Sequence, residues 1–322
     1  MADLQSYVTA EEGKLLSANY DFKQSFHHKI KNNVAEYVVV KDFLGVDDYT
    51  RTAMVEVLKY LRNFVFASEE QLAKLLTMKG LDPAGLPALL TMYSNNRVLN
   101  YFALAAYELS DIPADAFKVY CLDQGGVQIL AHFSTYDEDV VSWLSTDCVR
   151  PVELVMKYLT TGQFYLALAD ARGGDLAYFK PVHDVNIGRR SMRFSAEFQI
   201  MQGYTPQTFI LESVRRYDVP VEFSRKVNDK MSVFIGSKFW ERYYKMPPTY
   251  IFLVESQEDA LEVGKIFSMR TGYEQFRIIT DEQVKRGFDE VIMFKYLPSP
   301  DPNSNGDLKA VRSGMFSKIK NH

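Results

Sequence analysis

The sequence predicts an α+β chain of two modules, and three observations carry that expectation. Between Thr52 and Asn95 apolar residues recur every three or four positions in three consecutive runs, the period of helices with one buried face. From Met192 to Ile200 apolar and polar residues alternate, the period of a half-buried strand. Thr249-Tyr-Ile-Phe-Leu-Val254 is apolar almost throughout, the form of a strand covered on both faces.

In the first module, Val55, Leu58, Leu61 and Phe64 lay an apolar stripe along one helix. Ser68 is placed to cap a second, with Glu69, Glu70 and Gln71 in its first turn and Leu72, Leu75 and Leu76 inward, and Gly80 to stop it. A third helix, Leu86 to Ser94, turns Leu86, Leu89, Leu90 and Tyr93 to one side and ends at Asn95-Asn96. Two strands, Arg97 to Tyr107 and Phe117 to Leu122, flank the turn-rich Ser110 to Asp115, and Asp123 precedes a last helix, Gln124 to Phe133. Helices, hairpin and helix in this order are those of a winged helix over residues 50–135, with the third helix in the recognition position. A small helical domain with an unrelated hairpin is the alternative.

Residues 1–49 form a mixed N-terminal extension in which Lys23, Lys29 and Lys31 surround His27-His28, read as a helix start or turn or as a basic arm, and Val34 to Leu44 is β-rich. Residues 136–150 read as an acidic linker, and Pro151 opens a helix with Leu154, Val155, Tyr158 and Leu159 inward. Strands are expected at Leu176 to Lys180, Met192 to Ile200 and Gln207 to Arg215, with Met192, Phe194, Ala196, Phe198 and Ile200 on one face. A long helix follows from about Glu222 to Tyr244, then the 249–254 strand, a helix capped by Ser256, and strands Phe276 to Thr280 and Val291 to Tyr296. Residues 298–322 are expected to be a mobile tail, of which Val311 to Ile319 could fold on a partner.

Composition bounds the function. In 322 residues, 47% hydrophobic, there is enough apolar material for two cores. The first ten residues lack the basic start and apolar core of a signal peptide, and no run reaches the roughly eighteen apolar residues of a membrane span, so a cytoplasmic protein is expected. Cys121 and Cys148 have neither disulfide-framework nor metal spacing. The net charge of −4 does not by itself advertise nucleic-acid binding. Its distribution is uneven: residues 50–133 hold seven basic and eight acidic residues, whereas 180–245 hold twelve basic and seven acidic. Thr91, Tyr93, Ser94, Asn95 and Asn96, with Arg97 just beyond, are the polar readers the third helix offers, and Lys118 lies at the wing. Arg189, Arg190 and Arg193 lead the basic stretch, which supplies phosphate affinity if its cations share a face and is otherwise a solvated mixed-charge surface.

The order helix, three strands, helix, strand over residues 151–297 is that of a restriction-endonuclease-like core, in which two strand carboxylates hold Mg²⁺ and a lysine two residues after the second orients water. Glu197 and Glu212 occupy the acidic positions, but the residue two beyond Glu212 is Val214, and Arg215 and Arg216 lie further on. The expectation is a catalytically degenerate fold with no hydrolysis; the alternative for both glutamates is a plain strand residue facing solvent or pairing with Arg215 and Arg225. No phosphate-binding Gly-rich loop is present, Gly125-Gly126 and Gly173-Gly174 read as turn pairs, His132 is assigned to an apolar helix face and His183 to a loop contact. No cofactor and no metal is expected.

Leu58-Lys-Tyr-Leu-Arg-Asn-Phe64, Ala67-Ser-Glu-Glu-Gln-Leu-Ala73, Arg97-Val-Leu-Asn-Tyr-Phe102, Val119-Tyr-Cys-Leu-Asp-Gln-Gly125, Phe209-Ile-Leu-Glu212 and, at the place of a Lys- and Tyr-containing helix, Arg225 to Tyr244, over about residues 50–296, resemble the winged-helix replication-relaxation proteins of Gram-positive plasmids and integrative conjugative elements. The resemblance implies a double-stranded DNA-binding accessory factor in plasmid replication, relaxation or conjugative transfer, with a relaxase or replication initiator as partner. Glu197 in place of the expected Asp, and Val214, depart from its pattern. Two further readings stay open: a protein-interaction adaptor or homodimerising regulator, and a Mg²⁺-dependent nuclease.

Overall fold

The computed structural model describes residues 23–26, 46–105, 117–133, 148–216, 218–288, 292–299, 301, 306–312 and 316. The chain is mixed α/β and divides into two compact units between Gly162 and Gln163. The linker anticipated at 136–150 falls largely outside the described residues, as do Val34 to Leu44 and the wing turn Ser110 to Asp115.

The first unit begins with strand β1 (Lys23–Phe26) and helix α1 (Asp48–Phe64), whose N-cap Asp47 accepts from Thr50 N at 2.9 Å. Val65 leaves the helix at a φ of 65° and delivers the chain to β2 (Ala67–Ser68). Ser68 caps α2 (Glu69–Met78) in a reciprocal capping box with Gln71, as the Ser-Glu-Glu-Gln spacing predicts. The Gln71 amide also donates to Leu159 O at 2.7 Å, which satisfies a buried side chain across 88 residues of sequence. Then come α3 (Leu86–Asn95), β3 (Leu99–Ala105), β4 (Lys118–Leu122) and α4 (Gln124–Phe133). The four strands run in the order β1-β3-β4-β2, every pair antiparallel. Lys23 therefore lies in a strand on the edge of β3, not in the helix start or turn expected of it. Gly126 is helical rather than part of a turn pair: a Cβ there would meet Val98 O at 2.4 Å, so glycine lets α4 seat against the entry to β3. His132 is exposed on α4, contrary to its assignment to an apolar face.

In the second unit a seven-stranded sheet runs β11-β10-β9-β8-β7-β6-β5, with β5 at Leu176–Ile187, β6 at Arg190–Gln202, β7 at Thr205–Ser213, β8 at Thr249–Val254, β9 at Phe276–Thr280, β10 at Ile292–Leu297 and β11 at Asp307–Arg312. Only β7-β8 and β8-β9 are parallel. Helix α5 (Val152–Arg172) contributes Phe164, Leu168 and Ala171 to one face of the sheet, against Phe198, Phe209, Leu211 and Ile251. On the other face lie α6, a continuous helical run over residues 219–236 with two π-helical turns, and α7 (Gln257–Thr271). Each connects parallel neighbours, β7 to β8 and β8 to β9, and both pack on Ile210, Tyr250, Phe252 and Phe276. A short helix α8 (Asp281–Lys285) follows β9.

Three expectations are corrected here. Within the segment expected to be a mobile tail, β11 pairs with β10 along its full length and Phe316 is buried; the Pro, Asn and Gly from Asp301 to Gly306 hide this strand in the sequence. The long helix stops at Gly236 rather than reaching Tyr244, because Lys238 takes a left-handed φ of 52° just past the Ser237 C-cap. Finally, Met192 and Phe194 do not share a face with Ala196, Phe198 and Ile200. The first two pack with α6, the other three with α5. The strands turn over at Val182, whose φ of 56° is unusual for a β-branched residue and whose position opposite Ser195 has no regular pairing.

Candidate nucleic-acid interface and a buried polar cluster

Helix α3 presents two stripes. Leu86, Leu90, Tyr93 and Ser94 face inward, whereas Pro87, Ala88, Thr91, Met92, Asn95 and Asn96 are exposed. Of the expected readers, Thr91, Asn95 and Asn96 are thus on the outer face. Tyr93 and Ser94, only 3% and 1% exposed, are core residues and cannot reach a groove; burial pushes the Tyr93 phenol up to about 12. Arg97 is engaged as well: its Nε and Nη2 donate to the two Asp123 carboxylate oxygens, each at 3.2 Å. Lys118 lies over the Tyr101 ring, 5.4 Å from its centre. No cation projects from α3 itself.

In the second unit Arg189 is exposed at the tip of the β5–β6 hairpin, and Arg190 is the first residue of β6. Arg193 forks onto Asp184 with two contacts of 2.9 Å, which hold the Asp184 carboxyl below its ordinary value. The three arginines belong to one hairpin, but Arg193 is already neutralised.

Glu197 and Glu212 lie on one face of the sheet, two positions offset on neighbouring strands, because Glu197 pairs with Ile210 and both Ile210 and Glu197 turn toward α6. Neither faces solvent, and neither pairs with Arg215 or Arg225. The Glu197 carboxylate accepts from Tyr178 on one oxygen and, on the other, from Tyr244 at 2.7 Å; His183 Nε2 stands 2.8 Å from that second oxygen. His183 Nε2 is also 2.9 Å from the Tyr244 hydroxyl, so three side chains close a triangle, with Tyr178 outside it. Burial raises the Glu197 carboxyl, yet the hydrogen bonds from His183, Tyr178 and Tyr244 outweigh it and bring it down to about 2. His183 is not in a loop. It sits in β5, buried, carried to this face by the turnover at Val182.

Glu212 is bound by Lys226 of α6, whose Nζ is 2.6 Å from Oε1 and also donates to Arg193 O. Lys226 thus reaches Glu212 from a helix and not from a neighbouring position on β7. Arg215, fully buried, grips both Asp281 oxygens at 2.6 and 3.1 Å and donates to Leu253 O. Its role is to pin the end of β7 to the start of α8. Beside it Glu255, pushed up to about 7 by burial against the pull of Arg215, accepts from Arg216 N. Glu255 is marked by no motif; Lys226 and Tyr244 fall in the Arg225 to Tyr244 segment, but nothing in the sequence pairs them with Glu212 and Glu197.

Among the described residues, no three His, Cys, Asp or Glu side chains are grouped to hold a metal ion, and no helix is long and apolar enough to cross a membrane. Cys121 and Cys148 are buried, free thiols. No model of a known protein family matches the chain, and no curated protein or solved structure matches it.

Proposed function

We propose that the chain is a non-enzymatic, cytoplasmic double-stranded DNA-binding factor whose first unit is a winged helix and reads a groove with the outer face of α3. The observation that carries this is the split of α3 into a buried stripe and an exposed stripe bearing Thr91, Asn95 and Asn96. Amide side chains of this kind suit adenine edges. The order α1-β2-α2-α3-β3-β4, with β2 and β3 on either side of β4, supports the scaffold. The second unit is read as restriction-endonuclease-like in strand order and non-hydrolytic, supported by the engagement of Glu197 and Glu212 with protein donors. The replication-relaxation resemblance suggests the DNA of a mobile element as the setting, with a relaxase or replication initiator as partner.

A second reading, a docking or dimerising surface, is favoured by one specific feature: the same α3 face carries Pro87, Ala88 and Met92 and no charge. Selection of duplexes from a randomised pool by the full-length protein at low salt separates the two. Duplex recognition predicts enrichment of a defined sequence; a docking surface predicts no enrichment and a stable oligomer. Release of labelled products in Mg²⁺ would overturn the non-hydrolytic reading.

A further inference from the structure

The second unit carries a cleft in which α3 plays no part. The tip of the β5–β6 hairpin, turned at Gly188 with a φ of 61°, faces the last turns of α6 and the helical turn Phe239–Arg242. Between them lies a cavity of about 290 Å³ with Ile187, Val233 and Phe239 as its apolar walls and Arg189, Asp229 and Lys230 around it. Ligand pockets start at about 300 Å³, so the space suits one small planar group.

The walls of the cleft are tied to one another by hydrogen bonds. The Tyr243 hydroxyl donates to Asn186 O at 3.1 Å and accepts from Asn186 N at 2.8 Å. Lys230 Nζ donates to Ser191 O at 3.0 Å, and Lys226 Nζ to Arg193 O at 2.6 Å. Both strands of the hairpin are thereby tied to α6 and the segment after it.

Charge is sorted around this place. Arg193, Arg215, Arg216 and Lys226 are paired with Asp184, Asp281, Asp259 and Glu212. Arg189 and Lys230 adjoin the cleft, and Lys238 and Arg242 flank Phe239, against Asp229 and Glu241. The Arg242 guanidinium lies over the Phe239 ring, 4.7 Å from its centre. An apolar slot with an aromatic wall and cations beside it matches an unpaired nucleotide, whose base needs a face to stack on and whose phosphates need cations. An acidic peptide would use the cations and leave the apolar walls idle.

We infer that this cleft binds one unpaired base of a single-stranded nucleic acid, with the neighbouring phosphates held by Arg189, Lys230 and Lys238. The site is independent of duplex recognition by α3. The test is fluorescence anisotropy of the full-length protein with a labelled oligothymidylate, between about 50 and 200 mM salt. Binding is expected, and Phe239→Leu, which keeps an apolar wall but removes the ring, weakens it about tenfold. Arg189→Ala, at an exposed turn, flattens the dependence of log Kd on log salt by about 0.7. Asn96→Ala leaves oligothymidylate binding unchanged whatever it does to duplex binding. Absence of binding at low salt, wild-type affinity and salt slope in Arg189→Ala, or displacement of the oligonucleotide by polyaspartate at equal charge would overturn the assignment. Should Phe239→Leu unfold the unit, Arg189→Ala decides alone.

Discussion

Lys226 Nζ stands 2.6 Å from Glu212 Oε1, the amine reaching from α6 to a carboxylate on β7 fourteen positions earlier. A sequence pattern that looks for a lysine two residues after the glutamate finds Val214 there, buried in the core. The partner of Glu212 is a structural cation from the helix packed on that sheet face.

The pair is buried enough to matter for stability, since the Glu212 side chain is 7% exposed and its Oε2 has no hydrogen-bond partner. Lys226→Met leaves that carboxylate uncompensated and is expected to cost about 3–5 kcal/mol in urea unfolding. The double variant Lys226→Met, Glu212→Leu should recover most of the loss. Wild-type stability in the single variant would show that the contact contributes nothing.

Glu255 makes stability depend on pH. Its carboxyl titrates near 7 in the fold against an ordinary 4.5, so the folded chain holds a proton that the unfolded chain has released between those values. Stability from this group is therefore greatest below about 4.5 and falls as pH rises to about 7. The displacement corresponds to roughly 3 kcal/mol. Glu255→Gln should match the wild type at pH 4.5 and exceed it at pH 8; a difference that does not change with pH contradicts this.

Arg97 is expected to act as a structural residue. Held at a φ of 59° and forked onto an Asp123 side chain that is 5% exposed, it closes the junction of α3, β3 and α4. Arg97→Ala should lower stability by about 1–3 kcal/mol, with duplex affinity little changed. Loss of duplex affinity at unchanged stability would instead make Arg97 a reader.

Much of this fold was legible because its signals are local. Ser68 and Ser256 announce capped helices, the 249–254 run is a strand from end to end, and the order of strands and helices from α5 to β9 follows from periodicity alone. What escaped depends on tertiary context. Pro181 argues against a strand and the sequence reads His183 as a loop residue, yet β5 is an edge strand, where proline is tolerated. Strict alternation predicts Phe194 and Ala196 on one face, and the turnover at the left-handed Val182 separates them. The partners of Glu197 come from β5 and from beyond α6, and nothing in the spacing of Tyr178, His183 and Tyr244 brings them together. On α3, residue type alone could not separate Ser94, which is buried, from Asn95, which is exposed.

Duplex recognition by the outer face of α3 is tested most directly by equilibrium binding of a pool-selected duplex to the wild type, to the double variant Thr91→Ala, Asn96→Ala and to a control, Lys309→Ala, at an exposed cation of β11 outside either proposed site. Loss of about tenfold in affinity for the α3 variant, with an unchanged melting temperature, is the expected result. Equal affinity of the α3 variant and the wild type, or loss in the control alone, would contradict it.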